Sequence, residues 1–178
     1  MAATTLQGRR AMSIIGSDTI DIPNINNLYL VGSQTAITAN KLTASAGNFI
    51  NNGVKVGDIV YNANTSASNR WPILGVATVT AVDSATALSL SADIFNTGSN
   101  EYRIFRAIQN GGDTNPGCLL MGTNSTLNAS FQARIRTIGG DDVIIASVAN
   151  GNIIPIQVIR LFSTGTSPGT SGYFTAIW

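Results

Sequence analysis

Few residues of this chain could take part in catalysis. Histidine, the commonest general base and metal ligand, is absent, so the sequence excludes a Ser-His-Asp or Cys-His active site. The single cysteine, Cys118, can form neither an intramolecular disulfide nor a cysteine-based metal cluster. It lies in the apolar run of residues 118-121, which predicts a buried, unreactive thiol.

The carboxylates are also few, and they favour turns. Most of the nine acidic residues are aspartates beside Gly, Asn, Ser or Thr, where an Asp side chain stabilises a turn by bonding to its own backbone. A glycosidase would need two carboxylates held across a cleft, and turn formation is the simpler interpretation. Asp141 and Asp142, with Asn150 and Asn152 nearby, offer oxygen ligands for Ca²⁺, but a hairpin turn explains them without a metal. We therefore predict no enzymatic activity, no cofactor and no metal site.

Trp71 and three arginines are better candidates for binding than for catalysis. Trp71 precedes Pro72 in a polar loop, and it is either a rim residue of a small barrel or an anchor on a neighbour or ligand, since Trp is enriched at binding hot spots. Arg134, Arg136 and Arg160 lie in predicted strands. They either face solvent and protect a sheet edge, or pair with acids or carbonyls of the next subunit in a symmetric oligomer.

The elements that position these residues are predicted to be β-strands. Apolar and polar residues alternate from Phe131 to Arg136, which is the two-residue period of a half-buried strand. Residues 139-142 predict a turn, and residues 143-148 and 153-162 predict two further strands. Helical periodicity is not sustained anywhere, and turn residues separate short apolar runs at intervals of roughly 8–12 residues. The sequence thus predicts an all-β fold, with an antiparallel sandwich resembling a jelly roll.

Changes in composition along the chain predict three parts. Residues 1-27 are polar and weakly patterned, and they predict an extended N-terminal arm. Residues 41-107 form a compact series of short strands and turns, which predicts an inserted small module resembling a β-barrel. Residues 28-40 and 108-178 would then form a discontinuous outer β-sandwich domain. A single elongated β-domain is the alternative.

The low charge of the chain favours a protein that works inside an assembly. Charged residues make up 11% of the sequence, against about 25% in typical domains, and Asn, Thr, Ser and Gly take their place. Such a surface is easily dehydrated by neighbouring subunits, although a neutral extracellular β-protein would share it. The net charge is +1, and the one adjacent basic pair is Arg9-Arg10, so nucleic acid is not an expected partner. No apolar run approaches the ~20 residues of a membrane span, and no signal peptide is expected.

Two stretches of the chain have a recognisable pattern. One is GVKVGDIVYN at residues 53-62, followed by ATVTAVDSATALSLSADIF at residues 77-95. The other ends the chain with a proline-containing strand, an arginine-containing strand, a Thr-Gly-Thr turn and an aromatic terminus, carried by Pro155, Arg160, Thr164 to Thr166, and Tyr173 to Trp178. The first resembles a small β-module inserted in many tailed-phage virion proteins, and the second resembles the end of phage head-decoration and spike-base proteins. The resemblance implies a virion structural protein that binds the outside of a capsid shell in several copies.

The resemblance and the composition together predict a bacteriophage decoration or cement protein on the capsid surface, made in the host cytoplasm. Its expected partners are the major capsid protein and copies of itself, most simply in a trimer, and the N-terminal arm would reach a capsid protein or an adjacent copy. One alternative is a tail or spike-base component at a vertex, bound to tail or spike proteins. Another is a carbohydrate-binding module that holds a host surface glycan. The predicted contact residues are Arg9, Arg10, Trp71, Arg134, Arg136, Arg160, Tyr173, Phe174 and Trp178.

Overall fold

The computed structural model describes residues 10–63, 73–96, 100–107, 116–122, 131–167 and 174–178. Apart from a short 3₁₀ helix, Ile25–Asn27, the regular elements in these ranges are β-strands. In chain order they are β1 (Ala11–Ile14), β2 (Leu28–Ser33), β3 (Lys41–Thr43), β4 (Ile59–Ala63), β5 (Ile73–Ser84), β6 (Ala87–Leu90), β7 (Glu101–Phe105), β8 (Cys118–Gly122), β9 (Phe131–Thr137), β10 (Asp142–Val148), β11 (Ile153–Leu161) and β12 (Phe174–Ile177). They form two six-stranded antiparallel sheets, one of them curled into a half-barrel, so the predicted all-β fold is confirmed.

The first sheet joins the N-terminal strand to the strands of the C-terminal third. Its strand order is β1-β12-β8-β11-β9-β10. β11 contains Pro155, and its register with β8 shifts between Ile154 and Val158. Because proline has no N–H to donate, inside a sheet it needs an irregularity of this kind. The shift therefore allows β11 to occupy the middle of the sheet.

The second sheet has the order β2-β7-β4-β5-β6-β3, and it is the curled one. The 12-residue strand β5 pairs with β4 near its start and with β6 near its end. The chain just after β2 meets β3, where Ala36 and Thr43 form an isolated bridge and the N–H of Thr35 donates to the carbonyl of Thr43 at 2.8 Å. The two ends of the strand order therefore lie side by side.

Two apolar cores stabilise this arrangement. One lies inside the curled sheet and contains Phe49 and Val60, both 0% exposed. The other combines Ile135 of the first sheet with Tyr61 and Phe105 of the curled sheet, whose rings meet edge-to-face at 5.6 Å. β4 contributes to both cores because its successive side chains point to opposite faces. The shared core packs the two sheets against each other.

Residues 10–27, which were predicted to lie in an extended arm, are instead part of the fold. β1 pairs with β12 from Ala11↔Ile177 to Ile14↔Phe174, and Ile14 and Ile22 are buried in the shared core. A four-residue strand is too short to show a clear alternation of apolar and polar residues, which is why the sequence did not indicate it. Residues 1–9 of the predicted arm lie outside the described residues.

The division between the sheets also differs from the predicted boundary at residue 41. The prediction places residues 28-40 with the outer domain, but β2 pairs with β7 from Leu28↔Phe105 to Ser33↔Glu101, within the curled sheet. The partner of a strand depends on packing against distant strands, and the local sequence of β2 does not specify it.

Candidate interaction surface

Three of the predicted contact residues meet on one face of the first sheet. In β9, Ala133 and Ile135 enter the shared core, so Arg134 and Arg136 point to the opposite face. β11 places Arg160 directly opposite Arg136 in register. Like charges opposite each other in a sheet repel, so this face requires compensating groups.

The ring of Phe162 lies at the centre of these arginines, and we call Arg134, Arg136, Arg160 and Phe162 the arginine cluster. Phe162 is only 5% exposed, although it belongs to neither apolar core of the described residues. The guanidinium carbon of Arg134 lies 4.3 Å from the ring centroid, and those of Arg136 and Arg160 lie at 5.4 and 5.8 Å. Cations are attracted to an aromatic face at these distances, so the ring holds the three side chains in place.

Carboxylates lie within ion-pair distance of all three arginines, and two of the arginines donate hydrogen bonds to them. Arg136 donates to Asp142, its cross-strand partner in β10, from Nε at 2.7 Å and from Nη2 at 3.1 Å. Arg160 donates from Nε to Asp21 at 2.6 Å. The hydrogen bond from Arg136 holds the pKa of Asp142 below its usual value, and the same bond raises the pKa of Arg136. Arg136 and Arg160 are therefore paired within the chain.

Asp18 ties the N-terminal segment to the end of β11. Its carboxylate accepts hydrogen bonds from the Ser163 hydroxyl at 2.6 Å, and from the Thr164 N–H and hydroxyl at 3.0 and 2.7 Å. These bonds lower the pKa of Asp18 to about 2. Gly16 approaches so closely that an added Cβ would lie 2.8 Å from the carbonyl oxygen of Phe162. The segment is thus fixed beside the arginine cluster.

Arg134 is the member of the cluster with unused donors. Its Nη2 lies 3.6 Å from Asp142 Oδ2, beyond hydrogen-bond distance, and within the described residues its guanidinium donates no hydrogen bond. The side chain is 33% exposed. Its position is fixed by the Phe162 ring and by the backbone N–H of Arg134, which donates to Thr166 Oγ1 at 3.0 Å. A guanidinium held in place with free N–H groups is suited to bidentate binding of a carboxylate.

Exposed apolar side chains lie in the same sheet. Ile144 of β10 is the cross-strand partner of Arg134 and is 58% exposed. Val143 points to the other face of the sheet and is 37% exposed. The sheet has further exposed large apolar residues in or beside β9 and β11, which are Ile138, Ile153 and Ile156. Exposed apolar groups beside an ordered arginine are typical of protein contact surfaces.

The other predicted contact residues do not join this cluster. The backbones of Arg10 and Trp178 exchange hydrogen bonds at 3.3 and 2.9 Å, and both residues line an open groove of about 350 Å³ with Ile25 and Asn26. Phe174 is 3% exposed in the shared core, so its side chain packs within this chain and not on a partner. The remaining predictions fall on residues outside the described ranges, which are Arg9, Trp71 and Tyr173.

Asp58 is a polar centre whose role the sequence did not reveal, since its position favoured a turn. Its carboxylate is 0% exposed and accepts hydrogen bonds from the Tyr29 hydroxyl at 2.6 Å and from the N–H groups of Lys55 and Ala107 at 2.9 and 3.1 Å. The guanidinium of Arg106 lies 3.5 Å from this carboxylate and 3.8 Å above the Tyr29 ring. Burial and the bond to Asp58 raise the pKa of Tyr29. Apart from Lys55, these partners are far from Asp58 in sequence, and the sequence showed only an Asp between a glycine and a strand.

Cys118 is buried, as predicted, and burial raises the pKa of its thiol to about 12. Within the described ranges there is no group of three or more His, Cys, Asp or Glu side chains that could hold a metal ion. The same part of the chain contains no helix long and apolar enough to cross a membrane.

Comparisons of the chain with protein-family models, with curated proteins and with solved structures found no match. The assignment of a function therefore rests on the residues of this chain.

Proposed function

We propose that the chain is a phage virion structural protein that binds the outer capsid surface and stabilises the shell by contact. The proposal rests mainly on Arg134, which is held by the Phe162 ring beside the exposed Ile144 and whose guanidinium donates no hydrogen bond within the described residues. Arginines of this kind are common anchors of protein interfaces, since binding immobilises little additional side-chain freedom. The resemblance of residues 53-62 and of the C-terminal stretch supports a virion as the assembly.

Stabilisation of a shell in this way needs no reaction. A protein that binds the assembled shell and not its free subunits shifts the assembly equilibrium by mass action. A chain with only 11% charged residues suits this role, because few strongly hydrated groups must lose water when its surface is covered.

Electron cryo-microscopy of purified particles of the phage that encodes the chain tests the location. Decoration predicts many copies spread over the capsid surface. A few copies at one vertex or on the tail would support the tail or spike-base alternative and contradict decoration. Absence of the chain from the particle would contradict both.

A binding assay tests the role of Arg134. Particles lacking the chain are mixed with purified protein and sedimented, and bound protein is quantified. Arg134→Ala is expected to weaken binding by about tenfold or more, the effect of losing an interface anchor. The control is Lys41→Ala, a similarly exposed cation that already pairs with Asp83 at 2.7 Å. Equal binding by both variants would remove Arg134 from the contact.

The carbohydrate-binding alternative has a separate test. A glycan array is probed with the purified protein and with Trp71→Ala. Retention of a glycan by the wild type alone would favour that alternative, and no retention by either protein would exclude the glycans tested.

A further inference from the structure

The outer strand of the first sheet, β10, is an edge that no other strand covers within the described residues. It is the last strand in the order, and the described residues supply no strand on its free side. Its sequence, DVIIASV, contains one charge, no lysine and no proline, whereas these residues normally prevent sheet edges from pairing. The edges of the curled sheet, in contrast, meet at the Ala36–Thr43 bridge. β10 is therefore an edge suited to accept another strand.

The hairpin geometry shows which backbone groups are free. The N–H of Thr137 donates to the carbonyl of Asp141 at 2.9 Å, so residues 137 and 141 form a hydrogen-bonded pair. Such pairs alternate along an antiparallel ladder, which directs the N–H and C=O of Val143 toward β9. The corresponding groups of Asp142 and Ile144 then point away from the sheet. Two residues at the centre of the edge thus offer both a donor and an acceptor to an incoming strand.

We propose that two copies of the chain join through their β10 strands, antiparallel and centred on Val143, so that the first sheet continues from one subunit into the other. The proposal deepens the proposed function and rests on its premise that the chain acts in several copies. In this register Asp142 lies opposite Ile144 of the second copy, and Val143 lies opposite Val143. The contact is symmetric about a two-fold axis and yields a dimer.

The charges favour a second copy in this register. Antiparallel pairing separates the two Asp142 carboxylates, whereas parallel pairing in register would place them side by side, where like charges repel. Arg134 is the neighbour of Ile144 on β9, so each Asp142 lies one strand beyond the Arg134 guanidinium of the other copy, which donates no hydrogen bond within the described residues. The pairing also covers Ile144, which is 58% exposed. Free backbone groups and an exposed apolar side chain are thereby satisfied together.

The experiment measures the mass of the purified full chain by light scattering and sedimentation over a range of concentrations. We expect a dimer, and we expect Val143→Lys to raise its dissociation constant by more than about tenfold, since it places two cations opposite each other at the two-fold axis, where like charges repel. The matched control is Val31→Lys, because Val31 is 50% exposed but lies in the curled sheet. A monomer at every concentration, a trimer, or an equal effect of the two lysines would overturn the proposal.

Hydrogen exchange of the wild-type chain supplies a second test that needs no variant. The amides of Asp142 and Ile144 should exchange more slowly as the protein concentration rises, and exchange independent of concentration would refute the pairing. The dimer and the virion role can fail separately. Particle binding by a chain that never dimerises would overturn the pairing alone, and a dimer that is absent from particles would overturn the virion role alone.

Discussion

Arg106 and Arg134 each stack on an aromatic ring beside a carboxylate, one in each sheet region, and their surroundings differ. Arg106 lies 3.8 Å above the Tyr29 ring, close to the buried Asp58, and donates to the carbonyls of Asn52 and Gly53. Arg134 lies 4.3 Å from the Phe162 ring and forms an ion pair with Asp142 at 3.6 Å, but its guanidinium donates no hydrogen bond within the described residues. The Arg106 guanidinium thus donates hydrogen bonds within the chain, whereas the Arg134 guanidinium keeps its donors available.

This difference separates an arginine that stabilises the fold from one that is available to a partner. A buried, satisfied network fixes a fold, and breaking it leaves uncompensated polar groups. An ordered arginine with free donors adds little to the stability of its own chain but is prepared for a partner. We therefore assign the Asp58 network to structure and the arginine cluster to contact.

The largest expected effect is on the Asp58 network. Asp58→Ala should lower the free energy of unfolding by about 3–5 kcal/mol, because it leaves three hydrogen-bond donors without their buried acceptor and Arg106 without its carboxylate. Guanidinium chloride unfolding measures the change. Asp83→Ala, which removes an exposed partner of Lys41, is the control and should change stability by less than about 1 kcal/mol. Similar values for the two variants would contradict the structural role of Asp58.

A smaller loss is expected at the ring of the arginine cluster. Phe162→Ala should lower the free energy of unfolding by about 3 kcal/mol, which is the lower end of the range for truncation of a buried Phe. The loss is at the lower end because the ring is surrounded by guanidinium groups, which water can hydrate once the ring is removed. Phe162→Leu keeps most of the volume and loses the cation–π contacts, so it should lose only about 1 kcal/mol. Urea unfolding of both variants separates packing from stacking, and an unchanged midpoint for Phe162→Ala would show that the ring does not organise the cluster.

Acid should weaken the attachment of the N-terminal segment. The pKa of Asp18 is about 2 in the folded chain and 3.8 in the unfolded chain, so the unfolded chain binds more protons between these two pH values. The contribution of Asp18 is therefore complete above about pH 4 and declines as the pH falls toward 2. Urea midpoints measured across this range should decrease less steeply for Asp18→Asn than for the wild type. Both proteins should keep some slope, because the pKa values of Asp83 and Asp142 are also lowered. Equal slopes for Asp18→Asn and the wild type would contradict the role of Asp18.

The smallest effect is expected at Cys118, which lies in the core side of the first sheet and not on its contact face. Burial raises the pKa of the thiol to about 12, so almost no thiolate exists near neutral pH. Ellman's reagent at pH 8 should react slowly with the native chain and fully after unfolding in guanidinium chloride. Fast reaction of the native chain would show that the shared core opens at β8.

The sequence was sufficient for strands β9, β10 and β11 of the first sheet and for the positions of its arginines. The alternation in β9 placed Arg134 and Arg136 on one face, and the pattern after it placed Arg160 in a strand. Their convergence on Phe162 could not be predicted, because it depends on the register of β11 with β9. A two-residue period predicts the face of a side chain but not its cross-strand neighbour.

The N-terminal region was predicted least well, for a related reason. Met12 and Ile14 become core residues only because β12, the last strand of the chain, pairs with β1. Deletion of residues 1-25 would therefore remove a strand of the first sheet, and it would report on folding as well as on capsid binding.

The most direct test of the central claim compares hydrogen exchange of the chain free in solution and bound to phage particles. The account predicts that binding slows exchange in β9, β10 and β11, which carry Arg134 and the exposed isoleucines, and leaves β4 and β5 of the curled sheet unchanged. Protection confined to the curled sheet, with none in β9 to β11, would contradict the assignment of contact to the first sheet.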